Sequence, residues 1–152
     1  MQIDELHLAI LNELQQDARL SQAEIGRRVG LTAPAVSERI RRMEESGLIQ
    51  GYAVRIDYKQ LNYAEKVLIG VKMIRGNKNT FVQQARKTEG VTDVIRTIGE
   101  YCFFVSLIVR SVEALDEVLR TFEEFGATMT FSVLSQPVTG QPIRLSPTPV
   151  KR

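Results

Sequence analysis

Ser21-Gln22-Ala23-Glu24-Ile25-Gly26-Arg27-Arg28-Val29-Gly30-Leu31-Thr32-Ala33-Pro34-Ala35-Val36-Ser37-Glu38-Arg39-Ile40-Arg41-Arg42-Met43 reads as two short helices and the turn between them. Ser21 and Glu24 have the spacing of a capping box. The Ser hydroxyl would accept from the Glu24 N–H while the Glu carboxylate returns to the Ser N–H. Ala23, Ile25 and Val29 form an inward stripe, and Gly30 supplies a left-handed stop. Thr32 then starts a second helix with Pro34 in its first turn, where a missing N–H costs little. That helix runs to about Ser46, and Gly47 ends it. Two short helices joined by a turn containing Gly make a helix-turn-helix.

The phase of the later helix assigns its faces. At about 100° per residue, Val36, Ile40 and Met43 point into a small core, while Pro34, Glu38, Arg41 and Glu45 point away. Ala35, Ser37 and Arg42 flank the outer face. The exposed face of the second helix of such a unit enters the DNA major groove. Arg can read guanine bidentately, Glu can accept from cytosine, and Ser can serve a base or a phosphate. Ser37, Glu38, Arg41 and Arg42 are therefore the candidate reading residues, the alternative for each being a solvated surface side chain. Ser21 and Thr32 at the two helix starts, and Arg39 at the core edge, complete the candidate DNA-binding set. Arg39 is either an ion-pair partner or a phosphate contact.

Outward from this stretch, residues 4–17 place Leu6, Ile10 and Leu14 at helical spacing, with Ile3, Ala9 and Leu11 beside them, which predicts a preceding amphipathic helix. On the other side, residues 53–57 alternate with β-branched residues and predict a short strand or wing. Arg55 and Lys59 there are phosphate contacts or ordinary surface charges. The charge of the chain is unevenly distributed. The net value is only +2, but residues 19–42 hold six arginines against Glu24 and Glu38, a local excess of four positive charges. Polyanion binding depends on such local charge, because counterions are released where the contacts form.

The second half reads differently. Residues 67–75 alternate as a strand, with Val67, Ile69, Val71 and Met73 on one face and Leu68 and Ile74 on the other. Residues 77–88 form a helix carrying Phe81, Val82 and Ala85. Two strands follow, residues 91–98 and 101–109, separated by the hairpin signal Gly99-Glu100. Ser111 caps a helix with Leu115, Val118, Leu119, Phe122 and Phe125 on one stripe, and Gly126 ends it. Residues 128–135 are the last strand. The order βαββαβ is the ferredoxin-like arrangement. The third strand is apolar on both faces, and two helices can cover only one face of a sheet. A strand apolar on both sides needs cover on both, which predicts a homodimer through this segment.

Composition excludes several classes. One Cys rules out a disulfide framework and a Cys-rich zinc site. No apolar run approaches the roughly 18 residues of a membrane span. The start, Met1-Gln2-Ile3-Asp4-Glu5, lacks the order of a signal peptide. The expectation is a cytoplasmic, nucleoid-associated protein with no membrane partner. No Gly-rich phosphate loop, HExxH or paired ligand set is present, so no enzyme, cofactor or metal is expected. His7 and Cys102 do not suggest a nucleophilic pair, which would need close approach and an orienting third group. Tyr101–Val105 faintly resembles an RNA-recognition strand, but Glu100 precedes it where that motif has a basic residue. Residues 137–152 hold Pro137, Pro142, Pro147 and Pro149, end in Lys151-Arg152, and read as a flexible tail.

The N-terminal half resembles a known family in order and spacing. The matching residues are Ile3-Asp4, Ile10-Leu11 and Leu14, Asp17-Ala18-Arg19-Leu20-Ser21, Ile25–Leu31, Val36–Glu44 and Ser46–Tyr52. They are similar to the Lrp/AsnC (leucine-responsive/asparagine-responsive, feast/famine) transcription regulators of bacteria and archaea. The resemblance extends through the βαββαβ order to about residue 136. It implies an α+β chain: a winged helix-turn-helix over residues 1–60, a ferredoxin-like effector-binding and oligomerisation domain over residues 61–136, and the tail.

The same resemblance implies a sequence-specific regulator that binds double-stranded DNA as a homodimer, assembling further to an octamer as a tetramer of dimers. It also implies an amino acid or other small-molecule effector bound between dimers. The family's turn before the third strand is Gly-acid-aromatic-Asp. Gly99, Glu100 and Tyr101 match it, but Cys102 replaces the last acid and removes a carboxylate partner for an amino group. Gly99, Tyr101 and Cys102 are the effector-site candidates. Two rival functions use the same residues: a DNA-bending architectural protein with little sequence preference, and a metabolite-binding oligomeric module.

Overall fold

The computed structural model describes residues 2–63 and 65–146. Its contacts divide the chain into two compact units, Met1–Arg55 with Val138–Arg152, and Ile56–Pro137. The first unit carries three helices, α1 (Glu5–Gln16), α2 (Gln22–Val29) and α3 (Ala33–Glu45). Their apolar stripes meet in one core, where Ile10, Ile25, Val36 and Met43 are buried and Leu14, Leu20, Val29, Leu31, Ile40 and Ile49 pack around them. This is the face the helical phase assigned to the interior. Gly30 caps α2 in the left-handed region at φ 74°. Gly26 lets the turn fold back, because a Cβ there would lie 2.4 Å from the Leu31 carbonyl oxygen.

The caps differ in part from the sequence expectation. Ser21 Oγ accepts from the Glu24 N–H at 3.1 Å, but Glu24 does not return to Ser21. Its carboxylate is taken by Arg27 and Arg28 instead. The reciprocal box forms at α1, between Asp4 and His7. Thr32 stands at the start of α3 without a side-chain cap bond. Residues 51–57 form no strand. A strand needs a partner, and residues 51–57 pair with no strand among the described residues. Tyr52, Val54 and Ile56 consequently stay exposed.

The second unit follows a short 3-10 turn, Tyr58–Leu61, with β1 (Glu65–Met73), α4 (Lys78–Lys87), β2 (Val91–Arg96), β3 (Phe103–Val109), α5 (Val112–Glu123) and β4 (Gly126–Ser132). All strand pairs are antiparallel, in the order β2-β3-β1-β4. Val67, Ile69, Val71, Phe103, Val105 and Leu107 of the sheet are buried with Phe81, Ala85 and Phe122 of the helices. Three boundaries move. Gly126 does not terminate α5 but opens β4, paired with Met73. The last strand accordingly ends at Ser132. The hairpin between β2 and β3 is wider than Gly99-Glu100, closing where Thr97 N–H donates to the Cys102 carbonyl at 3.0 Å.

The register assigns Leu68, Gly70, Phe104, Ile95, Met129 and Phe131 to the sheet face opposite this core. Ile95, Met129 and Phe131 are exposed there. Residues 138–146 contain no helix or strand but are tied to the first unit. Pro147, Pro149, Lys151 and Arg152 of the expected tail lie outside the described residues. Among the described residues no helix is long and apolar enough to cross a membrane, and no cluster of His, Cys, Asp and Glu could hold a metal ion.

Candidate nucleic-acid interface

The outer face of α3 is built from local geometry. Residues three and four apart on a helix are neighbours, so Glu38 meets both Arg41 and Arg42. Arg41 donates to the two Glu38 oxygens at 2.8–3.0 Å, and Arg42 Nε donates to Glu38 at 2.8 Å. Arg41 also reaches Glu45. Glu38 therefore titrates below the usual carboxylate range, held first by Arg41 and then by Arg42. The Arg41 guanidinium is raised in turn, by Glu38 first and Glu45 second. All these side chains remain largely solvent-accessible.

Of the sequence-predicted set, Ser37, Glu38, Arg41 and Arg42 lie together on α3, and Thr32 is exposed at its start. Ser21 caps α2, with its hydroxyl proton still free to donate. Arg39 departs from the set. Its NH1 donates to both Asp4 oxygens, at 2.8 and 2.9 Å, and lies 3.0 Å from His7 Nδ1. Arg39 is thus the ion-pair partner of α1, which turns it from the outer face. His7, only 6% exposed, is occupied by the same cluster.

The charge pattern changes as well. Arg27 and Arg28 meet Glu24, and Arg28 also meets Glu13 at 2.7 Å. Arg28 is raised above its ordinary value by Glu13 first and Glu24 second. Five carboxylates, those of Asp4, Glu13, Glu24, Glu38 and Glu45, face five of the six arginines. Only Arg19 has no ion-pair partner among the described residues. The local positive excess read from residues 19–42 is largely offset by acids from outside that stretch. Tyr52 hydroxyl donates to Glu44 at 2.9 Å, and burial followed by that bond raises the phenol.

The Asp4 cluster has a consequence for acid stability. The His7 backbone N–H, and after it Arg39, hold the Asp4 carboxyl far below the usual carboxylate range. A depressed folded-state value adds stability above the unfolded value of roughly 4, and that stability is lost as pH falls through and below it. The first unit is expected to melt at a lower temperature at pH 3 than at pH 7. Asp4→Asn, which retains an N-cap, should flatten part of that difference. Melting followed on α1 amide resonances measures it, and an unchanged pH dependence in the variant would remove Asp4 from the explanation.

The effector candidates separate. Tyr101 lies over Gly70 beside Phe104, with ring centroids 5.6 Å apart, and its hydroxyl is 3.2 Å from the Met129 sulfur. This places it on the sheet face opposite the helices. Cys102 packs against the helix-side core. Gly99 stands exposed in the turn at φ 145°. A cavity of about 360 Å³ in this unit is lined by Tyr63, Glu89, Arg110, Glu117 and Val118 among others, and by none of the three candidates.

Comparison with known proteins gives the two units separate matches. A family model described as a winged helix-turn-helix DNA-binding domain matches residues 3–50. One described as the Lrp/AsnC ligand binding domain matches residues 66–143. The regulatory protein AsnC of Escherichia coli is 30% identical over 142 residues, covering 90% of this chain and 93% of that protein. The structure of LrpC from Bacillus subtilis superposes with a TM-score of 0.83 at 27% identity, covering 91% of this chain and 99% of that one. A transcriptional regulator of Neisseria meningitidis, solved as a complex with L-Met, has a TM-score of 0.82 at 22% identity, covering 93% of this chain and 97% of that one.

Proposed function

Because this chain belongs to the Lrp/AsnC family of transcriptional regulators, we propose that it reads operator DNA with the outer face of α3 and does so as an assembly of copies. Ser37, Glu38, Arg41 and Arg42 face the base edges, and Ser21 and Thr32 take phosphates at the two helix starts. The observation that carries this reading is the pair Arg41 and Arg42 side by side on the exposed face of the second helix of a helix-turn-helix. In the free protein their charges are occupied by Glu38 and Glu45. Exposed ion pairs of this kind are weak and screened by salt, so DNA can displace the carboxylates. Glu38, once displaced, can accept from cytosine or repel a misplaced phosphate. This exchange favours a sequence-reading regulator over an architectural protein held by phosphate charge alone.

The second unit provides the assembly. The face carrying Leu68, Ile95, Phe104, Met129 and Phe131 has no second layer over it among the described residues of this unit, and a second copy of the sheet supplies it. Octamers, as four such dimers, are the larger form we infer. An amino acid bound between dimers near Gly99 and Tyr101 modulates DNA binding, a reading supported by the L-Met complex of the Neisseria regulator. Cys102 takes no part in that pocket, because its thiol packs inward. The protein acts on the cytoplasmic nucleoid.

Genome-wide footprinting followed by anisotropy titration of a recovered site tests the proposal. The expected result is a preference of roughly 10³-fold or more over competitor DNA, altered when the effector amino acid is present. Equal affinity for all sequences would overturn it in favour of an architectural role.

A further inference from the structure

The outer side of α1 carries an arrangement that DNA reading does not use. Asn12 Nδ2 donates to the Leu145 carbonyl at 3.0 Å, and Leu145 N–H donates to Asn12 Oδ1 at 2.9 Å. Three residues along α1, Gln15 Nε2 donates to the Ile143 carbonyl at 3.1 Å, and Ile143 N–H donates to Gln15 Oε1 at 3.2 Å. Each side-chain amide thus closes a two-bond ring with the backbone of one tail residue, as a neighbouring strand would. The spacings match. Residues i and i+3 on a helix face the same way with Cβ atoms about 5–6 Å apart. Alternate residues of an extended strand lie about 6.6 Å apart and present N–H and C=O on one edge. A third tie, from Arg55 NH2 to the Gly140 carbonyl at 2.9 Å, joins the same tail to the segment leaving α3.

We propose that the Asn12 and Gln15 face of α1 is a docking site for an extended peptide strand. Its occupant is the C-terminal segment 138–146 of this same chain, which straps residues 52–55 to α1. Recognition is directed at the backbone. Ile143 keeps its side chain in solvent, at 73% exposed, while Leu145 is half-buried, so the site grips the backbone at both residues and is indifferent to the side chain at Ile143. Pro142 suits it, since proline holds the preceding residue extended and the N–H it lacks is not one the site uses. The composition that reads as flexible in sequence is here a segment without regular structure that the side-chain amides of a helix hold by its backbone.

Trypsin reports on this docking directly, because Arg144 lies between the two gripped residues. Cleavage after Arg144 needs the tail to open, so its rate follows the open population. In the full-length protein, Asn12→Ala with Gln15→Ala should raise that rate about tenfold or more, with α1–α3 amides still protected from exchange. Ile143→Pro removes one tail N–H without touching α1 and should act in the same direction. Equal cleavage rates in wild type and both variants would overturn the proposal. Wild-type protection that disappears on dilution would also overturn it, by assigning the site to the tail of a second copy.

Discussion

Arg41→Glu with Arg42→Glu should reduce operator affinity on the order of 100-fold or more at about 0.1 M salt, and leave the fold intact. Both side chains are exposed, at 55% and 62%, so no core contact is lost. In the free protein the change removes cations from Glu38 and Glu45 and adds two carboxylates beside them. Like charges four residues apart weaken an isolated helix only slightly. On DNA, four acids would then face the base edges and negative potential of a groove that the wild type meets with two arginines. Arg39→Ala is the contrasting variant. It releases Asp4 and His7 from α3, so the expected result is a lower melting temperature with a smaller loss of affinity. Anisotropy and thermal melting on the same preparations separate the two. If the double variant binds as the wild type does, the reading face is not on α3.

The contrast between Arg41 and Arg39 shows where the sequence could be read and where it could not. Glu38, Arg41, Arg42 and Glu45 are joined by helical spacing alone, so their arrangement follows once the helix is recognised. Arg39 and Asp4 are 35 residues apart, and Arg28 and Glu13 are 15 apart. Helical phase puts such residues at a core edge but does not say which element packs there. The order of elements was legible for the same local reason: Ser21, Gly30, Pro34 and Ser111 mark ends, and strand alternation separates Val67 from Leu68. Residues 51–57 have strand composition but pair with no strand among the described residues, and composition does not reveal a missing partner. The tail is the converse case, since proline content hid a pairing made through side-chain amides. The positive stretch at residues 19–42 was real in sequence, and the part of its neutralisation made by Asp4 and Glu13 depends on acids that only folding brings near.

Ile95→Glu with Phe131→Glu should convert the assembly to single chains. These residues lie on opposite edge strands of the open sheet face, 53% and 43% exposed in the isolated chain. Their replacement therefore costs the single chain little, because the introduced carboxylates remain in water. Covered by a second sheet, the same carboxylates would be desolvated without partners, which a buried interface does not tolerate. Light scattering should report the mass of one chain for the variant and a dimer or larger for the wild type. DNA binding should fall as a consequence, although no reading residue has changed. Two linked reading heads gain roughly 10²–10⁴-fold over one through effective concentration, and a dimer places them on half-sites about one helical turn apart. Such a variant should still bind an isolated half-site as a wild-type head does, which distinguishes lost assembly from a damaged reading helix. A wild type that is already monomeric, or a variant that stays dimeric, would show that this face is not where copies meet.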